Sequence, residues 1–95
     1  MTVKLIRMSS GEDLITTLVV ETPDYVVLED SIVAVPTGNG TLGFVPWSPI
    51  LSKTVKEIKV SKNFVVYIAD PDDEVVIQYN KMFNKIITPS KKLIS

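Results

Sequence analysis

The sequence predicts a mainly β fold, in which five strands form a strongly bent antiparallel sheet curled into a small barrel and followed by one C-terminal α-helix. Three observations carry this reading. Residues 25–36, YVVLEDSIVAVP, form an apolar, β-branched run too long for an ordinary strand and interrupted only by Glu29-Asp30-Ser31, as a bend or bulge would be. Apolar strand candidates lie on both sides of it, the later ones beyond a Gly38-Asn39-Gly40 turn, so the long strand has partners along both edges. Finally, the acidic run Asp70-Pro71-Asp72-Asp73-Glu74 opens a segment whose apolar residues return at helical spacing.

Taken in order, residues 3–8 (VKLIRM) alternate as a half-buried strand and end at Ser9-Ser10-Gly11, where glycine is free to take a positive φ. Residues 13–22 are the second strand. Leu14, Thr16, Leu18 and Val20 share one face and Ile15, Thr17 and Val19 the other, so both faces suit burial. Thr22-Pro23-Asp24 is a turn with proline set for its first corner, and the long strand follows. Thr37-Gly38-Asn39-Gly40-Thr41 closes a hairpin in which Asn39-Gly40 supplies the residues tolerant of positive φ.

The return segment, residues 42–50, carries Pro46 and Pro49, which cannot donate to a ladder. It is expected to be irregular and extended, laying Phe44 and Trp47 on a surface. Trp47 is either a half-buried packing residue at the barrel's edge or a base-stacking or partner contact. Residues 55–60 and 64–69 are the last two strands, joined by Ser61-Lys62-Asn63. The lysines at 53, 56, 59 and 62 recur every three residues, which in a strand scatters them over both faces; they are either a solvated edge or a phosphate-binding track.

A calcium site in residues 70–74 is rejected, because its ligands would need to spread over about 12 residues with a glycine at the turn. Asp70 is instead expected to cap a helix, with Pro71 at its first position and the following carboxylates against the positive end of the dipole. The helix, 72–87, places Val75, Val76, Tyr79, Met82, Phe83 and Ile86 on an apolar stripe, with Gln78, Asn80, Lys81, Asn84 and Lys85 opposite. It is read as a lid over an open end of the barrel. The expected organisation is thus one domain: a barrel over 1–70, the helix over 71–87 and a loose tail over 88–95.

Composition narrows the chemistry. A 95-residue chain has room for one modest core, yet 45% of its residues are hydrophobic, more than such a core absorbs, so part of that surface is expected to face another subunit. With no cysteine and no histidine, disulfides, thiolate nucleophiles, ordinary zinc sites and Ser-His or Cys-His pairs are excluded. No spacing of carboxylates, lysines and hydroxyls suggests an acid/base pair, so no enzyme, no cofactor and no metal is expected. No apolar run approaches the roughly 20 residues that span a bilayer, and no cleavable leader is recognisable. A cytoplasmic location follows as an expectation, and the Asn39-Gly40-Thr41 glycosylation match then carries no meaning.

The net charge of −1 is unevenly spread, at −4 for residues 1–52 and +3 for 53–95. An overall pI near 5.3 is unlike that of a strongly basic nucleic-acid binder, so any polyanion site must be local or concentrated by assembly.

Several segments resemble a known family. VLED at 27–30 resembles the end of the third strand in the first motif of Sm proteins, with Gly11 at the place of that motif's glycine, and VSKNFVVYIAD at 60–70 is similar to the second motif. The pattern resembles the Sm/LSm fold, the SH3-like small barrel of Sm, LSm and Hfq proteins. With GED at 11–13, VPW at 45–47 and QYNKMF at 78–83, the whole chain looks most like small Sm-like proteins encoded by tailed (cyano)phages of marine bacteria, which would make the location the host cytoplasm.

The resemblance implies a homo-oligomeric ring, in which the strand near 55–60 of one subunit pairs with that near 64–69 of the next. It also implies an RNA or single-stranded DNA site of little sequence specificity near the pore, where the loops at residues 22–25 and 61–64 meet. Lys62 would meet phosphate, Tyr25 or Phe64 would stack on a base, Asn63 would bond a base edge, and Asp24 and Ser61 would complete the loops. Tyr25 and Phe64 are equally readable as core. The family's Asp-x-Met-Asn pocket is absent, and Ser61-Lys62 stands where the family has Arg-Gly, replacing a flat guanidinium with a point charge. The alternative is a ring-shaped protein-interaction or assembly module without nucleic-acid binding, using Trp47 and the helix for a partner.

Overall fold

The computed structural model describes residues 2–47 and 54–83. Its six strands are β1 (Thr2–Met8), β2 (Asp13–Glu21), β3 (Tyr25–Pro36), β4 (Leu42–Pro46), β5 (Glu57–Ser61) and β6 (Val65–Ala69). A short 3₁₀ turn, Lys62–Phe64, joins the last two, and helix α1 (Asp73–Met82) follows. All pairings are antiparallel, in the order β4-β3-β2-β1-β6, with β5 also on β3. Among the described residues the sheet does not close on itself.

β3 serves two partners because it bends. Its first half, Tyr25 to Glu29, pairs β5, and its second half, Ile32 to Pro36, pairs β4. Between them the register against β2 slips, from Thr17 opposite Glu29 to Ile15 opposite Ile32, so three steps on β3 match two on β2. Asp30 takes a left-handed φ of 54° within this bulge. The Glu29-Asp30-Ser31 break is therefore the bend that the sequence implies.

The extra residue also resets which side chains face where. Val26 and Leu28 lie in one buried cluster with Ile6, Met8, Leu14 and Val60, and beyond the bulge it is Val33 that packs on that cluster. Ile32 faces the opposite side, where it forms a second cluster with Ile15 and Tyr79. Leu14 and Ile15 accordingly fall in different clusters, as the two-faced reading of the second strand expects.

A left-handed residue inside a strand should favour glycine over a β-branched residue. Asp30→Gly is expected to be close to neutral, whereas Asp30→Val should cost about 1–3 kcal/mol through backbone strain. Urea titration of the two variants checks this, and equal midpoints would contradict the assigned backbone.

Several sequence expectations need correction. Residues 42–46 form a regular strand rather than an irregular piece, so the strands among the described residues number six. β4 lies at the sheet's edge with Pro46 as its last residue, opposite Ile32, which spares the ladder, and Trp47 N–H then donates to the Ser31 carbonyl at 3.2 Å. Pro49 and Ile50 lie outside the described residues, as does Lys53. In the hairpin, Gly38 and Gly40 take the positive φ values, not Asn39. The strands read at 55–60 and 64–69 begin later, at Glu57 and Val65, the second because residues 62–64 coil into the 3₁₀ turn.

The helix is capped by Asp72, whose carboxylate accepts from Asp73 N–H at 2.9 Å, rather than by Asp70, which instead pairs with Lys4. It covers a face of the sheet, not an open end. Tyr79 is fully buried there, with Val75 and Phe83 packed beside it, while Met82 is half exposed. Asn84, Lys85, Ile86 and the tail expected over 88–95 lie outside the described residues.

The phenol of Tyr79 meets the bulge. Its hydroxyl lies 2.8 Å from the Asp30 carbonyl, 3.2 Å from the Glu29 carbonyl and 2.8 Å from the Thr17 hydroxyl. One phenolic proton serves one acceptor best, so it goes to Asp30 and Thr17 donates to the phenol. The helix, the second strand and the bend are thereby tied at one buried point.

Candidate nucleic-acid interface

Two loops meet at one end of the β3–β5 pair. Thr22 shapes the first of them: its hydroxyl accepts from Asp24 N–H at 3.2 Å and Tyr25 N–H at 3.0 Å, a local alternative to ladder bonds that turns the chain. Ser61 shapes the second, its hydroxyl accepting from Asn63 N–H at 3.2 Å at the start of the 3₁₀ turn. Tyr25 lies opposite Ser61 in the ladder, and Lys62 N–H donates to the Asp24 carbonyl at 2.9 Å. Asp24, Tyr25, Ser61, Lys62 and Asn63 therefore form one patch.

Phe64 departs from it. Its carbonyl accepts from Ser9 N–H at 2.8 Å, on the side of the β1–β2 turn, and its ring is 57% exposed rather than core. Tyr25 is half buried, with Lys59 Nζ 4.2 Å from its ring centroid. Lys59 is the diagonal neighbour of Tyr25 across the β3–β5 pair, a relation that exists only once the register is known. Lysine spacing alone could not reveal it.

Lys62 is committed as well. Its ammonium pairs with Glu21 Oε2 at 2.9 Å. The patch thus holds two cations, Lys59 and Lys62, against two carboxylates, Glu21 and Asp24, and is close to neutral in one subunit. Its chemistry is that of an amphipathic aromatic with an ammonium against one face, a second ammonium on a carboxylate that a phosphate could replace, and an exposed amide at Asn63.

The two aromatics proposed as a partner surface are placed differently. Trp47 is half buried against the first cluster and its indole N–H donates to Glu12 Oε1 at 3.3 Å, so the packing reading is the one its contacts match. Phe44 packs on the second cluster and also lines a groove beside the helix.

The outer borders of β5 and β6 carry no strand among the described residues. On β6, Val66 is 62% and Tyr67 45% exposed, next to Phe64, so an apolar strip runs along that border. Tyr67 stands opposite Arg7, whose guanidinium is held bidentately by Asp13 at 2.6 and 3.2 Å. The hydrogen bond and charge of Asp13, with a smaller contribution from Tyr67, push the already high pKa of Arg7 further up.

No group of three or more acids is placed to hold a metal ion among the described residues, and no helix there is long and apolar enough to cross a membrane. No protein-family model matches the chain, and a search of curated proteins also returned no match.

Proposed function

We propose that the chain is an Sm-like small barrel that assembles into a homo-oligomeric ring and binds RNA or single-stranded DNA with little sequence specificity. The observation that carries the binding reading is the convergence of the 22–25 and 61–63 loops into one patch, with Tyr25, Lys59, Lys62 and Asn63 side by side. The barrel reading draws support from β5 and β6 leaving the 3₁₀ turn to pair opposite ends of the β1-β2-β3 core, a connectivity that curls a bent sheet.

Assembly is favoured by the unpaired borders of β5 and β6 and by the apolar strip along β6. A ring would repeat the patch at every subunit, so weak contacts add along a strand of nucleic acid.

Fluorescence anisotropy with labelled oligo-U and oligo-A over a salt series tests the proposal. Binding should weaken as salt rises, with the log–log slope shrinking by about 0.7 for each phosphate that Lys62→Ala no longer neutralises. Glu21→Gln should tighten binding by freeing Lys62. Flat titrations with every oligomer would instead favour an assembly module without a nucleic-acid site, a reading that the existing Lys62–Glu21 pair favours.

A further inference from the structure

The groove beside the helix has a composition that neither loop nor sheet border shares. It encloses about 520 Å³, within the usual range of ligand sites, between the β3–β4 hairpin and the first turns of α1. Phe44, Val75 and Ile77 supply its apolar lining, and Asp72 and Glu74 its acidic rim. Ile77 is 45% exposed although it sits on the same helix as buried Tyr79, so it points off the sheet into this space rather than into the core.

The acids of the first helical turn are unmatched in charge. Asp72, Asp73 and Glu74 have no ion-pair partner among the described residues, whereas nearby Asp70 is paired with Lys4. The helix dipole offsets part of the charge of these three carboxylates, and a flexible cation would offset more.

The chain itself carries a segment of the opposite kind. Residues 84–95 contain Lys85, Lys91 and Lys92 and no acid, and Lys91-Lys92 is followed directly by Leu93-Ile94. A basic pair followed by an aliphatic pair is the complement of an acidic rim around an aliphatic floor.

The length suffices. The ten-residue helix is about 15 Å long, and the described chain ends at Phe83, at the far end of the helix from the groove. The seven residues 84–90 can reach up to about 23 Å, more than the length of the helix, which allows Lys91 to return to its first turn.

We propose that the groove between α1 and the β3–β4 hairpin is a docking site for residues 88–95 of the same molecule, with Lys91 and Lys92 on the Asp72–Glu74 rim and Leu93 and Ile94 on Phe44, Val75 and Ile77. The docked segment covers the exposed face of Ile77 and offsets two of the three carboxylate charges of the helix's first turn. It is independent of the nucleic-acid reading, because no residue of the loop patch takes part.

The absence of cysteine permits a clean test on the full chain, since Ser95→Cys creates the single thiol for a nitroxide label. In ¹⁵N-labelled protein carrying the nitroxide, amide signals of Thr41, Phe44, Val75 and Ile77 should broaden strongly and those of Asp24 and Asn63 should not. The broadening should fall at least severalfold in Lys91→Glu/Lys92→Glu and in 1 M salt, and should return in part when Glu74→Lys is added. Absence of groove broadening would overturn the proposal, as would broadening that survives the double charge reversal. A sample mixing nitroxide-labelled, isotope-free chains with ¹⁵N-labelled, nitroxide-free chains reports the segment of a second copy. Broadening of equal size there would overturn docking within one molecule.

Discussion

Tyr79→Ala is expected to remove about 3–5 kcal/mol of stability, the range for losing a buried aromatic. For a domain of this length that is a large part of a total of about 5–15 kcal/mol. The loss has two separable sources. Removing the ring empties the site between Ile15, Ile32 and the tilted partner ring of Phe83, whose centroid lies 4.9 Å away. Removing the hydroxyl removes its hydrogen bonds with the Thr17 hydroxyl and the Asp30 carbonyl. Tyr79→Phe isolates the second source and should cost about 1–3 kcal/mol, the range for losing two hydrogen bonds. Urea unfolding of both variants followed by circular dichroism checks the ordering. Equal midpoints for Tyr79→Phe and the parent chain would mean that the phenol does not hold the bulge.

The second large effect is expected at Leu28. It is fully buried at the centre of the first cluster, on the half of β3 that pairs β5, so its truncation should cost about 2–5 kcal/mol. At about 4–8 °C per kcal/mol for a domain of this size, the melting temperature should fall by roughly 10 °C or more. Val20→Ala is the control. Val20 is 40% exposed near the end of β2, and its truncation should stay within about 0.5 kcal/mol. A Leu28→Ala chain that melts with the control would contradict the burial that organises the sheet.

Much of this fold was legible in the residues because local chemistry and global packing agree there. The Glu29-Asp30-Ser31 break announced the bend, the two-faced character of residues 14–20 announced a sheet buried on both sides, and Tyr79 fell on the buried stripe of the helix. The strand at Leu42–Pro46 was missed because proline argues against a ladder only where its N–H would be needed, and whether a strand is an edge is a tertiary property. The helix lid was misplaced for a similar reason. Periodicity identifies the buried stripe but not the surface it covers.

The candidate site was legible to a smaller degree. That the 22–25 and 61–63 loops meet follows from pairing β3 with β5; in the residues themselves it was only what the Sm resemblance implied. The Lys59–Tyr25 contact and the Lys62–Glu21 pair depend on register and rotamer, which composition and spacing do not encode. Phe64 left the patch because the 3₁₀ turn rotates residues 62–64 out of the strand alternation that would have kept it inside.

Ring formation, in which identical copies of the chain complete the unpaired borders of β5 and β6, is the proposal on which the others of function rest. Light scattering coupled to gel filtration on the full chain, over a wide concentration range, tests it most directly. Closure predicts one discrete species whose mass is a fixed multiple of 10.5 kDa and does not grow on concentration. A mass of 10.5 kDa at every concentration would contradict it.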